Sequence, residues 1–220
     1  SFDKREIMIA IIDYQMGNLR SVEKAFLKVG GRAIVTSDKN KIKKAKKVVL
    51  PGVGAFGDGM KELKKFGLVG VIKDVIAEGK PFFGICLGMQ LLFDKSEEAP
   101  GVKGLSILEG KVKKFKFTKG SGTFVKKVPH MGWNQIKVKS QKSKVKILES
   151  TLNNSYFYFV HSYYCDPKDK SIITATTDYG IEFASMVVKD NIFGCQFHPE
   201  KSQDAGLKIL SNFESLLGSQ

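Results

Sequence analysis

The stretch GICLGMQ, residues 84–90, places a cysteine between two glycines, after an apolar run and directly before a helical pattern. A thiol at such a turn meets the positive end of the helix dipole and free N–H groups, which favour the nucleophilic thiolate. The pattern G-x-C-x-G is the thiol counterpart of the serine nucleophile elbow, where glycines let backbone segments pass closely. We therefore predict that Cys86 is a nucleophile, although a buried cysteine with a packing role fits the same stretch.

A nucleophile of this kind needs a base, and the chain has three histidines. His198 follows an apolar strand-like run, and Glu200 is near enough in sequence to orient its imidazole. This predicts a set suited to acyl transfer, with Cys86 as nucleophile, His198 as general acid–base and Glu200 as orienting carboxylate. His161 lies inside a strand-like run and His130 has no carboxylate nearby, so each is a weaker candidate for the base.

Acyl transfer also needs N–H donors that stabilise an oxyanion. The glycine-rich stretch PGVGAFGDG, residues 51–59, can supply such donors, and so can the backbone N–H of Leu87 directly after the nucleophile. An ordinary strand-to-helix loop is the alternative interpretation of this stretch. A phosphate-binding loop is disfavoured because the Lys-Ser/Thr ending is missing.

Short apolar strands alternate with helical patterns in the first half of the chain, which predicts an α/β fold with a parallel sheet covered on both faces. The loops at the carboxyl ends of such strands share one rim, where ligands bind. The loops after Asp13, Leu50 and Ile85 should therefore meet. The predicted strands are residues 8–13, 32–37, 47–52 and 81–86, and the predicted helices are 18–31, 39–46, two stretches ending near 78, and one beginning at 87.

The second half is rich in β-type segments, which predict mixed or antiparallel strands that extend the sheet. An amphipathic pattern over residues 204–218 predicts a closing helix. Because no linker or repeat interrupts the chain, we predict one domain over residues 8–218. Residues 1–7 precede the first strand pattern and are interpreted as an added tag or a disordered extension.

The composition predicts a soluble cytoplasmic enzyme: 220 residues, 42% hydrophobic and 26% charged, with no apolar run long enough to span a membrane and no signal-peptide pattern at the start of the sequence. The formal net charge is +14, but only three of the 36 basic residues are arginines. Dispersed lysines are typical of solvated faces rather than of nucleic-acid readers. Three cysteines without CxxC spacing argue against a disulfide framework or a zinc site.

Six motifs in order span nearly the whole chain: LPGVGAFGDGM, GICLGMQLLF, VPHMGWN, YFVHSYY, TTDYG and FGCQFHPEKS. Together they closely resemble class I glutamine amidotransferases, which use a Cys-His-Glu triad, and more narrowly the glutaminase subunits of imidazole glycerol phosphate synthases in histidine biosynthesis. The resemblance implies a Rossmann-like amidotransferase fold and glutamine hydrolysis through a cysteine thioester, without metal or cofactor. It also implies a heterodimer with a (β/α)8-barrel synthase, which receives ammonia through an internal channel.

The resemblance carries further residues onto this chain. It makes 51–54 an oxyanion strand that must reorient before its N–H points inward. The implied substrate-binding residues are Gly52, Val53, Gly54, Leu87, Gln90, Glu98, His161, Ser162 and Tyr163. The implied partner-interface residues are Asn18, Trp133, Tyr158 and Lys201.

Two positions depart from the resemblance. Gln15 stands where a small residue is expected, and Cys195 stands where an aliphatic residue is expected.

Three other functions stay open. A related amidotransferase could supply ammonia to a partner in surface-sugar biosynthesis. A cysteine peptidase or deglycase-like protein also uses an elbow cysteine, and a basic binding module would need no catalysis.

Overall fold

The computed structural model describes residues 9–117, 126–139, 145–151 and 153–216. The predicted first-half elements are present, with bounds that differ by one to three residues. The strands are β1 (Ile9–Ile12), β2 (Ala33–Thr36), β3 (Lys47–Leu50) and β4 (Phe82–Ile85). The helices are α1 (Leu19–Lys28), α2 (Lys39–Lys44), α3 (Phe56–Lys65), α4 (Leu68–Ala77) and α5 (Leu87–Leu91).

The later elements are mostly strands. They are β5 (Phe93–Ser96), β6 (Leu108–Lys114), β7 (His130–Gln135), β8 (Lys137–Val138), β9 (Tyr156–His161), β10 (Tyr163–Pro167), β11 (Ile173–Asp178), β12 (Glu182–Lys189) and β13 (Ile192–Cys195). Helix α6 (Gln203–Glu214) follows. The predictions for residues 1–7, for Met8 as the first strand residue and for 217–218 lie outside the described residues.

The central sheet has eight strands in the order β2-β1-β3-β4-β13-β12-β11-β8. The pairs from β2 to β13 are parallel, and those from β13 to β8 are antiparallel. Strand β4 therefore lies between β3 and β13. This order brings the cysteine turn after β4 beside the loops that follow β3 and β13.

The prediction that the whole second half extends this sheet is wrong in part. Strands β10, β6 and β5 form a separate sheet of three, and β7 pairs with β9 in a sheet of two. The segment YFYFVHSYYC looks like one β-type run in the sequence, but it breaks at Ser162 into β9 and β10, which join different sheets. Strand β5 lies at the end of the segment LGMQLLFDKS, which the sequence predicts only to begin as a helix. The break between β9 and β10 lies beside the cysteine turn, because the Gln90 side chain on α5 donates to the carbonyl of Tyr163.

Helices cover both faces of the central sheet, as the apolar patterns predict. In β1, Ile9 and Ile11 face a cluster formed with α1 and α6, whereas Ala10 and Ile12 face a cluster formed with α2, α3 and α4. Successive strand residues point to opposite faces, so an unbroken apolar run is what a doubly covered strand requires. Burial of each Ile or Phe side chain in these clusters stabilises the folded state by roughly 1.5–3 kcal/mol.

Candidate active site

Cys86 lies on a sharp turn between β4 and α5. Its backbone has φ 54° and ψ −109°, a left-handed conformation that is rare for residues other than glycine. The Cys86 N–H donates to the carbonyl of Cys195 at 2.7 Å, which ties the turn to the end of β13. The strained backbone holds the sulfur at the carboxyl edge of the sheet, as the nucleophile-elbow pattern predicts.

The glycines around Cys86 are explained by backbone contacts. A Cβ atom on Gly88 would lie 1.7 Å from the carbonyl oxygen of Leu50 at the end of β3. A Cβ atom on Gly84 would lie 2.8 Å from the backbone of Gly88. Any larger residue at either position would push α5 away from the sheet and displace the sulfur.

His198 and Glu200 form a buried pair after β13. The His198 Nδ1 and Glu200 Oε1 atoms are 2.8 Å apart, and the two side chains are 2% and 3% exposed. The backbone N–H of His198 donates to the carbonyl of Tyr158 at 2.9 Å, so the main chain at His198 is held against β9. Because Glu200 occupies Nδ1, the other nitrogen, Nε2, is the one available for proton transfer. Nε2 is buried and makes no hydrogen bond with the residues that the structure describes.

The charge state of His198 reflects its neighbours. Burial disfavours the charged imidazolium and alone would lower the pKa. Interactions with Cys86 and Glu200 outweigh this penalty and raise the pKa of His198 to about 10. The structure thus places His198 in electrostatic contact with both of the other residues predicted as a triad.

The stretch 51–54 lies against the cysteine turn, and the carbonyl of Gly52 points towards that turn. The Leu87 N–H donates to the carbonyl of Gly52 at 3.3 Å, so this predicted oxyanion donor is occupied. The buried Tyr14 hydroxyl donates to the carbonyl of Pro51 at 2.8 Å and fixes the start of the stretch. Gly54 has φ +101°, a backbone conformation that glycine adopts readily and other residues adopt rarely.

A cavity of about 290 Å³ opens beside the sulfur. All of the predicted substrate-binding residues line it except Gly52, which lies behind the lining with its carbonyl on Leu87. Glu98 has a second contact, because its Oε2 accepts from the N–H of Phe56 at 2.8 Å and caps α3. The lining residues are Val53, Gly54, Cys86, Leu87, Gln90, Glu98, Pro129, Val160, His161, Ser162 and Tyr163.

The weaker histidine candidates lie together beside this cavity, away from the base position. His161 Nδ1 is 2.8 Å from the carbonyl of Tyr163, and His161 Nε2 is 2.9 Å from His130 Nδ1. Asn134 Nδ2 lies 3.2 Å from His130 Nε2. Burial, the first cause in each case, lowers the pKa of His161 to about 3 and that of His130 to about 4. Both rings are therefore neutral. His161 is part of the cavity lining, and His130 contacts His161.

Sequence reasoning missed Gln196. Its side chain is fully buried, and its Nε2 lies 3.7 Å from the sulfur of Cys86. Its position two residues before His198 in CQFHPE was the available signal, but only the fold shows that the amide turns towards the sulfur.

The predicted interface residues lie apart from the cavity. Trp133 on β7 is 47% exposed and packs edge-on against Tyr158 on β9, with ring centroids 6.1 Å apart. The Lys201 ammonium lies 5.8 Å from the centre of the Tyr158 ring. Asn18 has a local role, because its side chain accepts from the N–H of Ser21 and caps α1.

The two departures noted in the sequence have simple structural settings. Gln15 has φ 65°, a left-handed conformation, which explains why a small residue suits this position better. Cys195 is buried, and its sulfur contacts the carbonyl of Phe197 at 3.3 Å. Burial raises the pKa of Cys195 and of Cys165. Both residues are therefore poor nucleophiles, because the thiolate is the reactive form.

Within the described ranges, no group of three or more His, Cys, Asp or Glu side chains is arranged to hold a metal ion. No helix in that part of the chain combines the length and apolar character that a membrane span needs.

A family model described as glutamine amidotransferase class-I matches residues 10–215. The chain belongs to this family. This amidotransferase is 50% identical over 210 residues to the imidazole glycerol phosphate synthase subunit HisH of Caldanaerobacter subterraneus subsp. tengcongensis, covering 96% of this chain and 98% of that protein. It is 52% identical over 205 residues to the protein of the same name from Geobacter sulfurreducens, covering 93% and 97%.

Solved structures support the same fold for this amidotransferase. A crystal structure of a glutamine amidotransferase matches with a TM-score of 0.71 and 17% identity, covering 95% of this chain and 100% of that one. A chain in the structure of PurLQS from Thermotoga maritima matches with a TM-score of 0.65 and 17% identity, covering 94% and 97%. At these identities the likeness concerns the fold alone.

Proposed function

We propose that this amidotransferase is the glutaminase subunit of imidazole glycerol phosphate synthase and supplies ammonia to a (β/α)8-barrel synthase subunit in histidine biosynthesis. The observation that carries the proposal is the buried His198–Glu200 pair beside Cys86, which itself lines a cavity of about 290 Å³. Full-length relatives at about half identity that bear this subunit's name support the choice of partner and pathway.

The first half-reaction is acyl transfer to sulfur. The Cys86 thiolate attacks the side-chain amide carbon of glutamine, and the C–S bond forms as the C–N bond breaks. His198, protonated at Nε2, gives its proton to the departing nitrogen, which leaves as ammonia. Glu200 holds the ring through Nδ1 and stabilises the imidazolium, in the orienting role predicted from its position.

The second half-reaction releases glutamate. Neutral His198 takes a proton from water, the water oxygen attacks the thioester carbon, and the C–S bond breaks with its electron pair returning to sulfur. This restores the thiolate and the imidazolium. In bulk water at neutral pH, ammonia is mostly protonated to ammonium, which is not a nucleophile. Ammonia must therefore reach the synthase without entering bulk water.

The hydrogen bond from Leu87 N–H to Gly52 O supports a low activity of the isolated chain. A tetrahedral intermediate needs that N–H, and a carbonyl oxygen in its place would repel the oxyanion. The peptide of Gly52 must rotate so that the N–H of Val53 replaces the carbonyl. We propose that binding of the barrel partner and its ribotide substrate favours the rotated state.

The cavity lining suggests how glutamine is held. Both Gln90 N–H groups are used, by the carbonyl of Tyr163 at 3.0 Å and by Gln196 Oε1 at 3.1 Å. The Gln90 carbonyl oxygen is the end that remains to accept from the α-ammonium group of the substrate. The backbone of His161–Tyr163 and the carboxylate of Glu98 complete the substrate site.

The paired strands β7 and β9 provide the proposed docking surface. Met131, Trp133 and Tyr156 are 62%, 47% and 56% exposed on this pair, an apolar surface typical of an interface. Trp133, Tyr158 and Lys201 form one cluster on it. Because Asn18 caps α1, its contribution to docking would be through its backbone or through the position of the helix.

The remaining expectations agree with this function. We infer one amidotransferase domain over residues 8–218, since both apolar clusters pack on the same central sheet. We place the enzyme in the cytoplasm, where thiols stay reduced. The three cysteines are unpaired, as such a compartment requires. We propose no nucleic-acid or membrane partner and no cofactor.

Glutamine hydrolysis with and without the barrel synthase and its ribotide tests the proposal. We expect slow hydrolysis by the chain alone and strong stimulation by the loaded partner. Cys86→Ala should abolish glutamine-dependent synthesis, whereas synthesis from ammonium salts by the complex should survive. Stimulation by a sugar-synthesis partner alone would instead favour the surface-sugar pathway, and peptide cleavage without glutamine turnover would contradict the assignment.

A further inference from the structure

Gln196 links the nucleophile to the cavity wall. The residue directly follows β13, is fully buried, and its backbone N–H donates to the carbonyl of Ser185 at 2.9 Å. Its Oε1 lies 3.1 Å from Gln90 Nε2, and its Nε2 lies 3.7 Å from the sulfur of Cys86. The two half-reactions described above leave this contact with the sulfur unused.

The orientation of the Gln196 amide follows from its neighbours. The carbonyl of Tyr163 can only accept, so the NH₂ end of Gln90 must face it, at 3.0 Å. The second N–H of Gln90 then points to Gln196, which must present its oxygen there. The NH₂ end of Gln196 is left to face the sulfur of Cys86.

We propose that Gln196 is a further catalytic residue, whose Nε2–H donates a hydrogen bond to the Cys86 sulfur while that sulfur carries negative charge. The proposal rests on the proposed function. The sulfur also approaches the carbonyl oxygen of Val160, at 4.0 Å, which cannot stabilise a thiolate. Gln196 therefore supplies a neutral hydrogen-bond donor to the charged sulfur in addition to the His198 imidazolium.

The contact acts at two points of the cycle. Before attack it stabilises the thiolate, since a hydrogen bond to an ionised acceptor is stronger than one to a neutral acceptor. In the thioester the sulfur is neutral and a poor acceptor. When water attacks and the C–S bond breaks, the electron pair returns to sulfur, and Gln196 is already positioned to stabilise it as the leaving group.

The same contact makes the sulfur sensitive to the substrate site. Gln90 lines the cavity and donates directly to Gln196. A ligand that shifts the Gln90 amide therefore shifts the amide that holds the sulfur. His161 Nδ1 donates to the same Tyr163 carbonyl, at 2.8 Å, and keeps this end of the chain of hydrogen bonds fixed.

Alkylation of Cys86 by iodoacetamide as a function of pH tests the contact without glutamine turnover, because the thiolate is the reacting form. Gln196→Met keeps the length of the side chain but removes the donor. We expect alkylation at neutral pH to slow by roughly 10- to 100-fold, as for the loss of a hydrogen bond to a charged group, and to recover at high pH. In the complex with the synthase, kcat for glutamine should fall more than KM rises.

Gln196→Glu and Asn212→Leu are the comparison variants. Gln196→Glu keeps the shape and the acceptor for Gln90 but turns an oxygen towards the sulfur, so its alkylation should also be slow at neutral pH. This variant decides the matter if Gln196→Met does not fold. Asn212 is a buried amide on α6 that donates to the carbonyls of Ile147 and Glu149, so Asn212→Leu should lower stability and leave the alkylation profile unchanged.

The inference is overturned if a folded Gln196 variant is alkylated with the wild-type pH profile, or if Asn212→Leu shifts the profile equally. Hydrolysis of glutamine by the wild-type complex is measured in parallel. If that hydrolysis is present while the Gln196 variants behave as wild type, this inference fails and the proposed function stands. If it is absent, the proposed function fails, whereas alkylation still reports on the contact.

Discussion

The two neutral histidines beside the cavity should make the protein unstable at mildly acidic pH. His161 must donate from Nδ1 to the carbonyl of Tyr163, so its Nε2 accepts from His130 Nδ1. A proton added to His161 would break this pattern, since two N–H groups would then face each other. Burial of both rings opposes the charge as well, and it lowers the pKa of His161 to about 3 and of His130 to about 4.

The expected loss follows from the difference in proton binding. The unfolded chain binds protons at both histidines below about pH 6.5, whereas the folded chain does not until pH approaches 4 and then 3. Protonation of each histidine in the unfolded chain therefore lowers the free energy of unfolding at pH 5 by about 2 kcal/mol relative to neutral pH. His198 has the opposite sign. Its raised pKa contributes stability that is full below pH 6.5 and is lost as the pH rises towards about 10.

Urea unfolding at pH 7 and pH 5 measures this effect, and His130→Phe is the test variant. A phenyl ring preserves the stacking of position 130 on Tyr179, whose centroid is 3.9 Å away, but it does not titrate. The variant should lose about 1–3 kcal/mol at pH 7, because the acceptor on His161 loses its donor. Its further loss at pH 5 should be about 2 kcal/mol smaller than in wild type. An equal pH dependence in both proteins would refute the reasoning.

Three other substitutions separate positions with different roles. Tyr14→Phe leaves the carbonyl of Pro51 without its donor, so urea unfolding should show a loss of about 1–3 kcal/mol; an unchanged stability would contradict the anchor. Gly88→Ala places a Cβ 1.7 Å from the carbonyl of Leu50 and should prevent soluble expression, so a wild-type melting temperature would refute the contact. Trp133→Ala should change stability by less than about 1 kcal/mol but weaken binding of the barrel synthase by about 2 kcal/mol or more in calorimetry, whereas unchanged binding would move the docking surface elsewhere.

The part of the fold that could be predicted is the part built from doubly covered strands. Strands β1, β3 and β4 are buried on both faces, so each appears in the sequence as an unbroken apolar run. Strand β5 reads FDKS and carries no such signal, because its pairing is decided by the neighbouring strand β6. The break at Ser162 was hidden because both strands beside it are rich in aromatic residues.

The site divides in the same way. The turn at Cys86 was predictable because the glycines that its close backbone contacts require stand within four residues of each other. The pairing of His198 with Glu200 was predictable because they are two residues apart. The contact of Gln196 with sulfur and the bond from Leu87 to Gly52 join segments that are distant in the chain, so no local pattern contains them.

The most direct test of the proposed chemistry is to find which side chain an electrophilic glutamine analogue modifies. Peptide mapping by mass spectrometry after labelling should find one adduct, on Cys86, and an excess of glutamine should slow its formation. His198→Asn, with the fold intact, should slow it as well, because the imidazolium that stabilises the thiolate is gone. An adduct on Cys165 or Cys195, or labelling of Cys86 that glutamine does not slow, would contradict the claim that this sulfur attacks glutamine in the cavity.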